Sequence, residues 1–213
     1  MWIFSGEAYS LTRKNVAPGY DNVTAAEYAV DLEANLESLH QRIKAGTYKA
    51  PPVVRTWIPK EDGKKRPIGK PTFEDKILQR AVVMLLNSIY EQDFYSFSHG
   101  FRPGHNQHGA LHELREECLK KRVSWIIDAD VSGCFDNISH GKLQGIIQRR
   151  VNDGGLLRLI GKWLHAGVLE KGIISYPEKG SPQGGVCSPL LANIFLHHIL
   201  DEWFVKEVQP IMQ

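Results

Sequence analysis

Apolar residues spaced three or four apart recur along most of the chain and predict a series of helices. Thr24 and Glu27 have the spacing of a capping box, which places the start of a helical region that ends at Gly46. Pro71 and Thr72 mark the start of another helix. The predicted apolar faces comprise Leu32, Leu36, Leu39 and Ile43; Ile77, Ala81, Met84, Leu85 and Ile89; Ala110, Leu111, Leu114 and Cys118; Leu143, Ile146 and Ile147; Leu156, Leu157, Ile160 and Leu164; and Leu190, Leu191, Ile194, Phe195 and Ile199.

Four segments between these helices have the features of β-strands. Residues 53–60 and 64–68 flank the turn 61–63, and an Asp-Gly turn between extended arms is typical of a β-hairpin. Residues 123–131 are rich in β-forming side chains and predict a buried strand, and a short strand is predicted near 173–176. The pattern therefore predicts an α+β fold in which a small sheet is backed by helices.

Composition narrows the class of protein. Among the 213 residues, 42% are hydrophobic and 23% are charged, as in a globular protein with a sizeable core. The longest apolar run, Ala81–Leu86, is too short for a transmembrane helix, and the N-terminus lacks the features of a secretory signal. The three cysteines lie far apart, which argues against a disulfide framework and favours a reducing cytoplasm.

Positive charge is concentrated in one part of the chain. Residues 42–80 hold 11 Lys and Arg against 4 Asp and Glu, although the whole chain has a net charge of only +2. This block is a candidate phosphate-binding surface, and a solvated lysine-rich face would give the same pattern. Its cations on the predicted hairpin are Arg55, Lys60, Lys64, Lys65 and Arg66.

Three carboxylates follow or end the predicted strand 123–131. Asp128 and Asp130 would point to the same face, because side chains alternate along a strand. Carboxylates beside an apolar strand are costly to desolvate, and a divalent cation such as Mg²⁺ compensates this cost. Asp130 is the preferred candidate ligand, whereas Asp128 and Asp136 can equally be a strand-end and a helix-capping carboxylate.

Six segments, in this order along the chain, resemble those of reverse transcriptases encoded by group II introns, the maturase family of bacterial retroelements. They are residues 15–24, 58–72, 98–103 (Ser-His-Gly-Phe-Arg-Pro), 130–138, 163–168 (Trp-Leu-His-Ala-Gly-Val) and 180–193 (Gly-Ser-Pro-Gln-Gly-Gly-Val-Cys-Ser-Pro-Leu-Leu-Ala-Asn). The resemblance implies a right-hand polymerase fold. Residues 1–122 would form mainly the fingers, including a basic hairpin at 53–69, and residues 123–213 would form part of the palm.

The resemblance also implies roles for individual residues. Asp130, helped by the Val131 carbonyl, would hold two catalytic Mg²⁺ ions, while Lys60 and Arg66 would grip the triphosphate of the incoming dNTP. Phe135 would exclude a ribose 2′-hydroxyl. Gln183 would lie beside the nucleotide. Contacts with the RNA template and DNA primer are expected at Arg55, Lys64, Lys65, Gly100, Arg102 and Gly184.

One feature of the family is missing from these residues. The Tyr-Ala-Asp-Asp block, which supplies the other metal-binding aspartates, does not occur in the sequence. We therefore expect a palm truncated before this block, an incomplete two-ion site and no polymerisation by these 213 residues alone. The apolar side of the last helix would then favour self-association as a homodimer.

The resulting hypothesis is an RNA-directed DNA polymerase of a group II intron-like retroelement, cytoplasmic and nucleoid-associated, with no membrane contact. Two alternatives stay open. One is a module that binds intron RNA and assists splicing without polymerase activity. The other is a reverse transcriptase of the retron or defence type.

Overall fold

The computed structural model describes residues 3–59, 63–181 and 184–211, and within them nine α-helices and four β-strands follow one another. The helices are α1 Ile3–Leu11, α2 Ala25–Val30, α3 Leu32–Lys44, α4 Phe73–Tyr90, α5 Gln107–Lys121, α6 Cys134–Asn137, α7 His140–Gln148, α8 Gly154–Leu164 and α9 Ser188–Leu196. The strands are β1 Val53–Pro59, β2 Lys65–Lys70, β3 Val168–Glu170 and β4 Ile173–Ser175. The predicted α+β class is confirmed.

Side-chain caps start several helices, two of them where the sequence predicted a helix to begin. Thr24 and Glu27 form the complete capping box of α2, each accepting a backbone N–H of the other. The Thr72 hydroxyl accepts the amide of Asp75 at the start of α4, and Ser139 caps α7. These bonds satisfy amides that a helix leaves unpaired at its N-terminus.

The four strands form one sheet in the order β2-β1-β3-β4. Strands β1 and β2 are antiparallel and form the predicted hairpin, with Ile58 opposite Arg66 and Thr56 opposite Ile68. Strand β3 runs parallel to β1 and antiparallel to β4. The sheet therefore connects the basic hairpin directly to the second half of the chain.

Helix α4 lies between two clusters of buried side chains. On one side, Phe73, Ile77 and Ala81 pack with residues of α1, α2 and α3. On the other side, Leu78 and Leu86 belong to a larger cluster that includes α7, α8 and α9. The single apolar face predicted for this helix is thus only part of its buried surface, because the helix is the centre of the molecule.

The predicted buried strand at 123–131 is wrong for this structure. The segment has no strand pairing, and Trp125 and Ile127 are about nine-tenths exposed, at 90% and 88%. A strand requires a partner, and none of the described residues pairs with this segment. The β-forming side chains of this segment indicate a high strand propensity, but propensity alone does not supply the partner strand that a sheet requires.

Helix α9 continues into wider, π-helical turns at His197–Asp201 and Phe204–Val208. These turns and the residues between them carry exposed apolar side chains, including Trp203 and Phe204, which agrees with the expected apolar side of the last helix. None of the helices in the described ranges is both long and apolar enough to cross a membrane.

Candidate functional site

The two faces of the hairpin carry different cations. Arg66 and Ile68 share one face of β2, because side chains two residues apart on a strand point the same way. Arg55 belongs to the opposite face of the hairpin, where it forms an ion pair of 3.4 Å with Glu170 of β3. Trp57, on that same face, donates a 2.6 Å hydrogen bond to the other oxygen of Glu170. Arg55 and Arg66 therefore point to opposite faces of the hairpin and could not contact the same ligand on one face.

Residues 180–187 are here called the Pro-Gln-Gly segment, of which the structure describes 180, 181 and 184–187. Gly184 of this segment approaches the hairpin on the face that bears Ile68. Gly184 has a φ of +103°, and a Cβ atom built on it would lie 2.4 Å from the Gly69 carbonyl oxygen. The same atom would lie 2.9 Å from the Ile68 side chain. Only glycine allows this backbone conformation and this approach together. Gly184 consequently brings the Pro-Gln-Gly segment against β2.

The beginning of the Pro-Gln-Gly segment also binds the region around α6. The Gly180 amide donates to the Ile138 carbonyl, and the Ser181 amide donates to the Phe135 carbonyl, each over 2.8 Å. Gly180 has a φ of +94°, and its Cβ position is 2.9 Å from the Asp136 carbonyl oxygen. The structure thus brings together three segments that the sequence singled out separately: β2, residues 134–138 and the Pro-Gln-Gly segment.

The candidate metal ligands lie just before this junction. Asp130 and Val131 are exposed, as are Asp128 and Asp136. The chain turns at Gly133, which has a φ of +60° and starts α6. Exposed carboxylate and carbonyl oxygens are ligands that suit a hard divalent cation that keeps some of its water.

Asp130 influences the first residue of α6. The pKa of the Cys134 thiol is raised by burial and, to a smaller extent, by the negative charge of Asp130. The carboxylate of Asp130 is therefore close enough to act electrostatically on the start of α6, whose next residue is Phe135.

Two predicted site residues, Lys60 and Gln183, lie outside the described residues. Their predicted roles stay predictions. Phe135 is half-buried and packs against the larger core, so its ring has one side supported by apolar side chains. A supported ring is compatible with the predicted steric role and with plain core packing.

The side chain of Arg102 is buried within the 95–102 loop. Its side chain is only 7% exposed and pairs with Glu91 at 3.1 Å. The guanidinium also donates to the carbonyl oxygens of Tyr95 and Ser98 at 2.8 and 2.7 Å. The cation therefore holds the 95–102 loop together from inside, and the expected contact between this side chain and a template stays a prediction.

The neighbours of Arg102 face the other way. Phe101 is 73% exposed and has a φ of +57°, which is uncommon for a residue with a side chain. The Gly100 carbonyl accepts a 2.6 Å hydrogen bond from the Asn193 side chain in α9. This bond ties the loop to the helix that follows the Pro-Gln-Gly segment, and it leaves the Phe101 ring facing solvent.

A buried polar network was missed by the sequence-based interpretation. Asp75, at 3% exposed, accepts hydrogen bonds from the Tyr48 hydroxyl, from Trp163 Nε1 at 3.2 Å and from Gln79 Nε2 at 3.3 Å. Burial raises the pKa of Asp75 to about 6, while these three hydrogen bonds oppose the rise. The available signal was a carboxylate and an amide four residues apart on the predicted helix, a spacing that places both on one face.

A second group of ligand-type side chains, His197, His198 and Glu202, is found away from this network at the end of α9. Lys206 already pairs with Glu202 at 2.8 Å, and the positive charge of Arg149 acts on His198. Both cations oppose the binding of a metal ion there.

Comparison with known proteins identifies the family. Residues 58–209 match the family described as Reverse transcriptase (RNA-dependent DNA polymerase). This range includes β2, the Asp130 region and the Pro-Gln-Gly segment, and it is more than half of the chain. The chain therefore belongs to the reverse transcriptase family.

Its relatives include proteins of group II introns. Group II intron-encoded protein LtrA of Lactococcus lactis subsp. cremoris is 45% identical over 168 residues, which cover 78% of this chain and 28% of LtrA. Protein YkfC of Escherichia coli (strain K12) is 36% identical over 200 residues, 92% of this chain and 52% of YkfC. The chain thus spans about half the length of YkfC and less than a third of LtrA.

Solved structures agree on the fold. A chain of the partial Cas6-RT-Cas1--Cas2 complex superposes with a TM-score of 0.58 at 19% identity, over 95% of this chain and 34% of that one. At this identity the likeness shows a shared fold and no more. It confirms the predicted reverse transcriptase architecture.

Proposed function

We propose that this chain forms the fingers and part of the palm of an RNA-directed DNA polymerase of a group II intron-like retroelement. The reaction is nucleotidyl transfer from a dNTP to the 3′-hydroxyl of a DNA primer on an RNA template. The observation that carries the proposal is the junction of β2, residues 134–138 and the Pro-Gln-Gly segment. The 45% identity with LtrA supports the intron class.

Each residue at or near the junction has a separate role in the proposed nucleotidyl transfer. Asp130 and the Val131 carbonyl would hold Mg²⁺, which neutralises charge on the attacking and leaving oxygens. Arg66, with Lys60, binds the triphosphate from the hairpin, because a guanidinium can donate two parallel hydrogen bonds to phosphate oxygens. Phe135 and Gln183 contact the incoming nucleotide, the first at its sugar.

Nucleic-acid binding extends beyond the junction. Lys64 and Lys65 are exposed at the turn of the hairpin and would contact phosphates of the template. Phe101, rather than Arg102, faces solvent on the 95–102 loop and can stack on an unpaired base. Gly100 and Gly184 would contribute close backbone contacts.

A second function, binding of intron RNA to assist splicing, is supported by the positive block 42–80 and by the names of relatives such as the nuclear intron maturase of Arabidopsis thaliana. It uses the same cations and does not require Asp130. A polymerase of the retron or defence type would require both these cations and Asp130. We expect either activity in the cytoplasm near the nucleoid, in keeping with three unpaired cysteines.

The experiment is RNA-templated primer extension by LtrA in which the 168 matched residues are replaced by those of this chain. We expect extension that depends on Mg²⁺ and dNTPs, and its loss on Asp130→Ala with RNA affinity unchanged. A folded chimera that binds RNA but never extends a primer would contradict the polymerase proposal and favour the RNA-binding one. Asp128→Ala, two residues earlier in the same exposed segment, is the matched control and should retain extension.

A further inference from the structure

The buried network around Asp75 reaches the Pro-Gln-Gly segment through one side chain. Gln79 Oε1 accepts the amide of Val186 at 2.8 Å and the amide of Cys187 at 3.3 Å. These two amides directly precede α9 and have no partner within that helix. Gln79, at 3% exposed, is therefore a buried acceptor for two backbone donors of the Pro-Gln-Gly segment.

The direction of each hydrogen bond in this network is determined by its neighbours. Asp75 only accepts when ionised, so the Gln79 NH₂ group must face it. The Gln79 oxygen is then directed at Val186 and Cys187. A reversed amide would place a donor against two donors and leave three buried groups unsatisfied.

The partners of the other Asp75 oxygen come from distant parts of the chain. Tyr48 lies between α3 and β1, and Trp163 lies at the end of α8. Trp163 Nε1 donates to both the Tyr48 hydroxyl, at 3.1 Å, and Asp75 Oδ1, at 3.2 Å. Burial and the charge of Asp75 raise the pKa of Tyr48, so its hydroxyl remains a donor. The orientation of Asp75 is thereby fixed by elements on both sides of α4.

Besides its backbone bonds to residues 135 and 138, the Pro-Gln-Gly segment has further contacts. The Ser181 hydroxyl donates to the hydroxyl of Ser188, the first residue of α9, at 2.8 Å. Gly184 lies against β2, and Val186 and Cys187 bind Gln79. Any movement of Gln79 would act on the last two of these residues, which follow Gly184 closely in the chain.

We propose that Asp75 and Gln79 are positioning residues that fix the backbone at Val186 and Cys187, and thereby the approach of the neighbouring Gly184 to β2. The consequence for nucleotide selection rests on the proposed function. The backbone effect does not, because it concerns this chain's own hydrogen bonds. Neither residue touches the substrate in this proposal.

The test measures hydrogen exchange at the Val186 and Cys187 amides of the 213-residue chain by NMR. In Asp75→Asn, the indole of Trp163 retains the side-chain oxygen, so the new NH₂ group faces Gln79 and the Gln79 amide must reverse. We expect exchange at both amides to accelerate about tenfold or more, because each loses its acceptor.

A double variant repairs the network. When Asp75→Asn is combined with Gln79→Glu, the introduced NH₂ group donates to the introduced carboxylate, and the same carboxylate accepts the amides of Val186 and Cys187. Every bond of the original network then has a donor and an acceptor again. The double variant should therefore restore slow exchange at both amides.

Two controls separate this local effect from general destabilisation. Ile147→Val trims a fully buried side chain of the same core and should accelerate exchange across the whole chain rather than at these two amides alone. Gln92→Glu makes the same substitution as Gln79→Glu, but at an exposed position just after α4. It should change the exchange rate of neither amide.

Unchanged exchange at Val186 and Cys187 in Asp75→Asn, or failure of the double variant to slow it again, would overturn the positioning proposal. Failure of the LtrA chimera to extend a primer would overturn the proposed function and leave these exchange rates as expected. The two proposals therefore fail on different measurements.

Discussion

The backbone amide of Ser181 donates a 2.8 Å hydrogen bond to the carbonyl oxygen of Phe135. A second bond of the same length joins Gly180 to Ile138, so two backbone hydrogen bonds connect the Pro-Gln-Gly segment to the region around α6. Backbone bonds survive most substitutions. The junction is consequently sensitive to changes at glycines, where the backbone itself must alter.

Gly184→Ala should detach the Pro-Gln-Gly segment from β2. The new methyl group would stand 2.4 Å from the Gly69 carbonyl oxygen, and alanine rarely adopts the φ of +103° found there. We expect the free energy of unfolding to fall by about 2–3 kcal/mol, since strain and a steric clash add. Chemical denaturation measures this loss.

Gly172→Ala is the matched control for that prediction. Gly172 also has a positive φ, +82°, but no atom lies within 4 Å of its Cβ position. It should lose only the cost of the left-handed conformation, about 1 kcal/mol. Equal losses in the two variants would show that the contact with Gly69 is unimportant.

Phe101 and Arg102 should separate RNA binding from stability. Phe101→Ala removes an exposed ring, so we expect RNA affinity to fall by about 1–3 kcal/mol with little change in unfolding. Arg102→Ala should lower the free energy of unfolding by about 1–3 kcal/mol, because Glu91 and two carbonyl groups lose their donor. Fluorescence anisotropy with single-stranded RNA and thermal denaturation measure the two effects. If Arg102→Ala lost RNA affinity and Phe101→Ala lost stability instead, the predicted contact between Arg102 and the template would be supported.

The salt dependence of RNA binding should identify the hairpin as a phosphate contact. Replacing Lys64 and Lys65 by alanine removes two exposed cations from the turn of the hairpin. On single-stranded RNA, the slope of log affinity against log salt should become shallower by about 1.4, or about 0.7 for each lost phosphate contact.

The matched control for the hairpin lysines is a second exposed pair. Lys120 and Lys121 lie at the end of α5 and both pair with Glu117. Replacing them by alanine changes the net charge by the same amount and should leave the slope nearly unchanged. Similar slopes in the two double variants would indicate a general charge effect and not a hairpin contact.

The sequence allowed the local structure to be predicted better than the long-range contacts. The Asp-Gly turn and the Thr72 cap are local signals, and both the hairpin and α4 are present. The strand at 123–131 was wrong because strand formation requires a partner elsewhere, and β-propensity carries no information about that partner.

The candidate site shows the same division. Glycine and carboxylate motifs made Gly184 and Asp130 candidates, because backbone conformation and metal chemistry restrict residue type. Arg102 and Asp75 could not be placed from sequence, since a buried and a solvent-facing charge look alike until the fold supplies Glu91 or Tyr48 as a partner.

The pH dependence of stability should report the burial of Asp75. Its pKa is raised from an ordinary 3.8 to about 6 in the folded chain, mainly by burial. The folded state therefore holds this proton more tightly than the unfolded state, and its stabilising effect is complete below about pH 4. As the pH rises from there through the folded pKa, that contribution is lost, which amounts to about 3 kcal/mol.

Asp75→Asn cannot titrate, so the difference in unfolding free energy between wild type and variant should decline across this window. Urea denaturation from about pH 4 to about pH 7 measures it, with circular dichroism to verify folding. Parallel profiles would mean that Asp75 is ionised as readily in the fold as in the unfolded chain, and that its burial is compensated in full by Tyr48, Trp163 and Gln79.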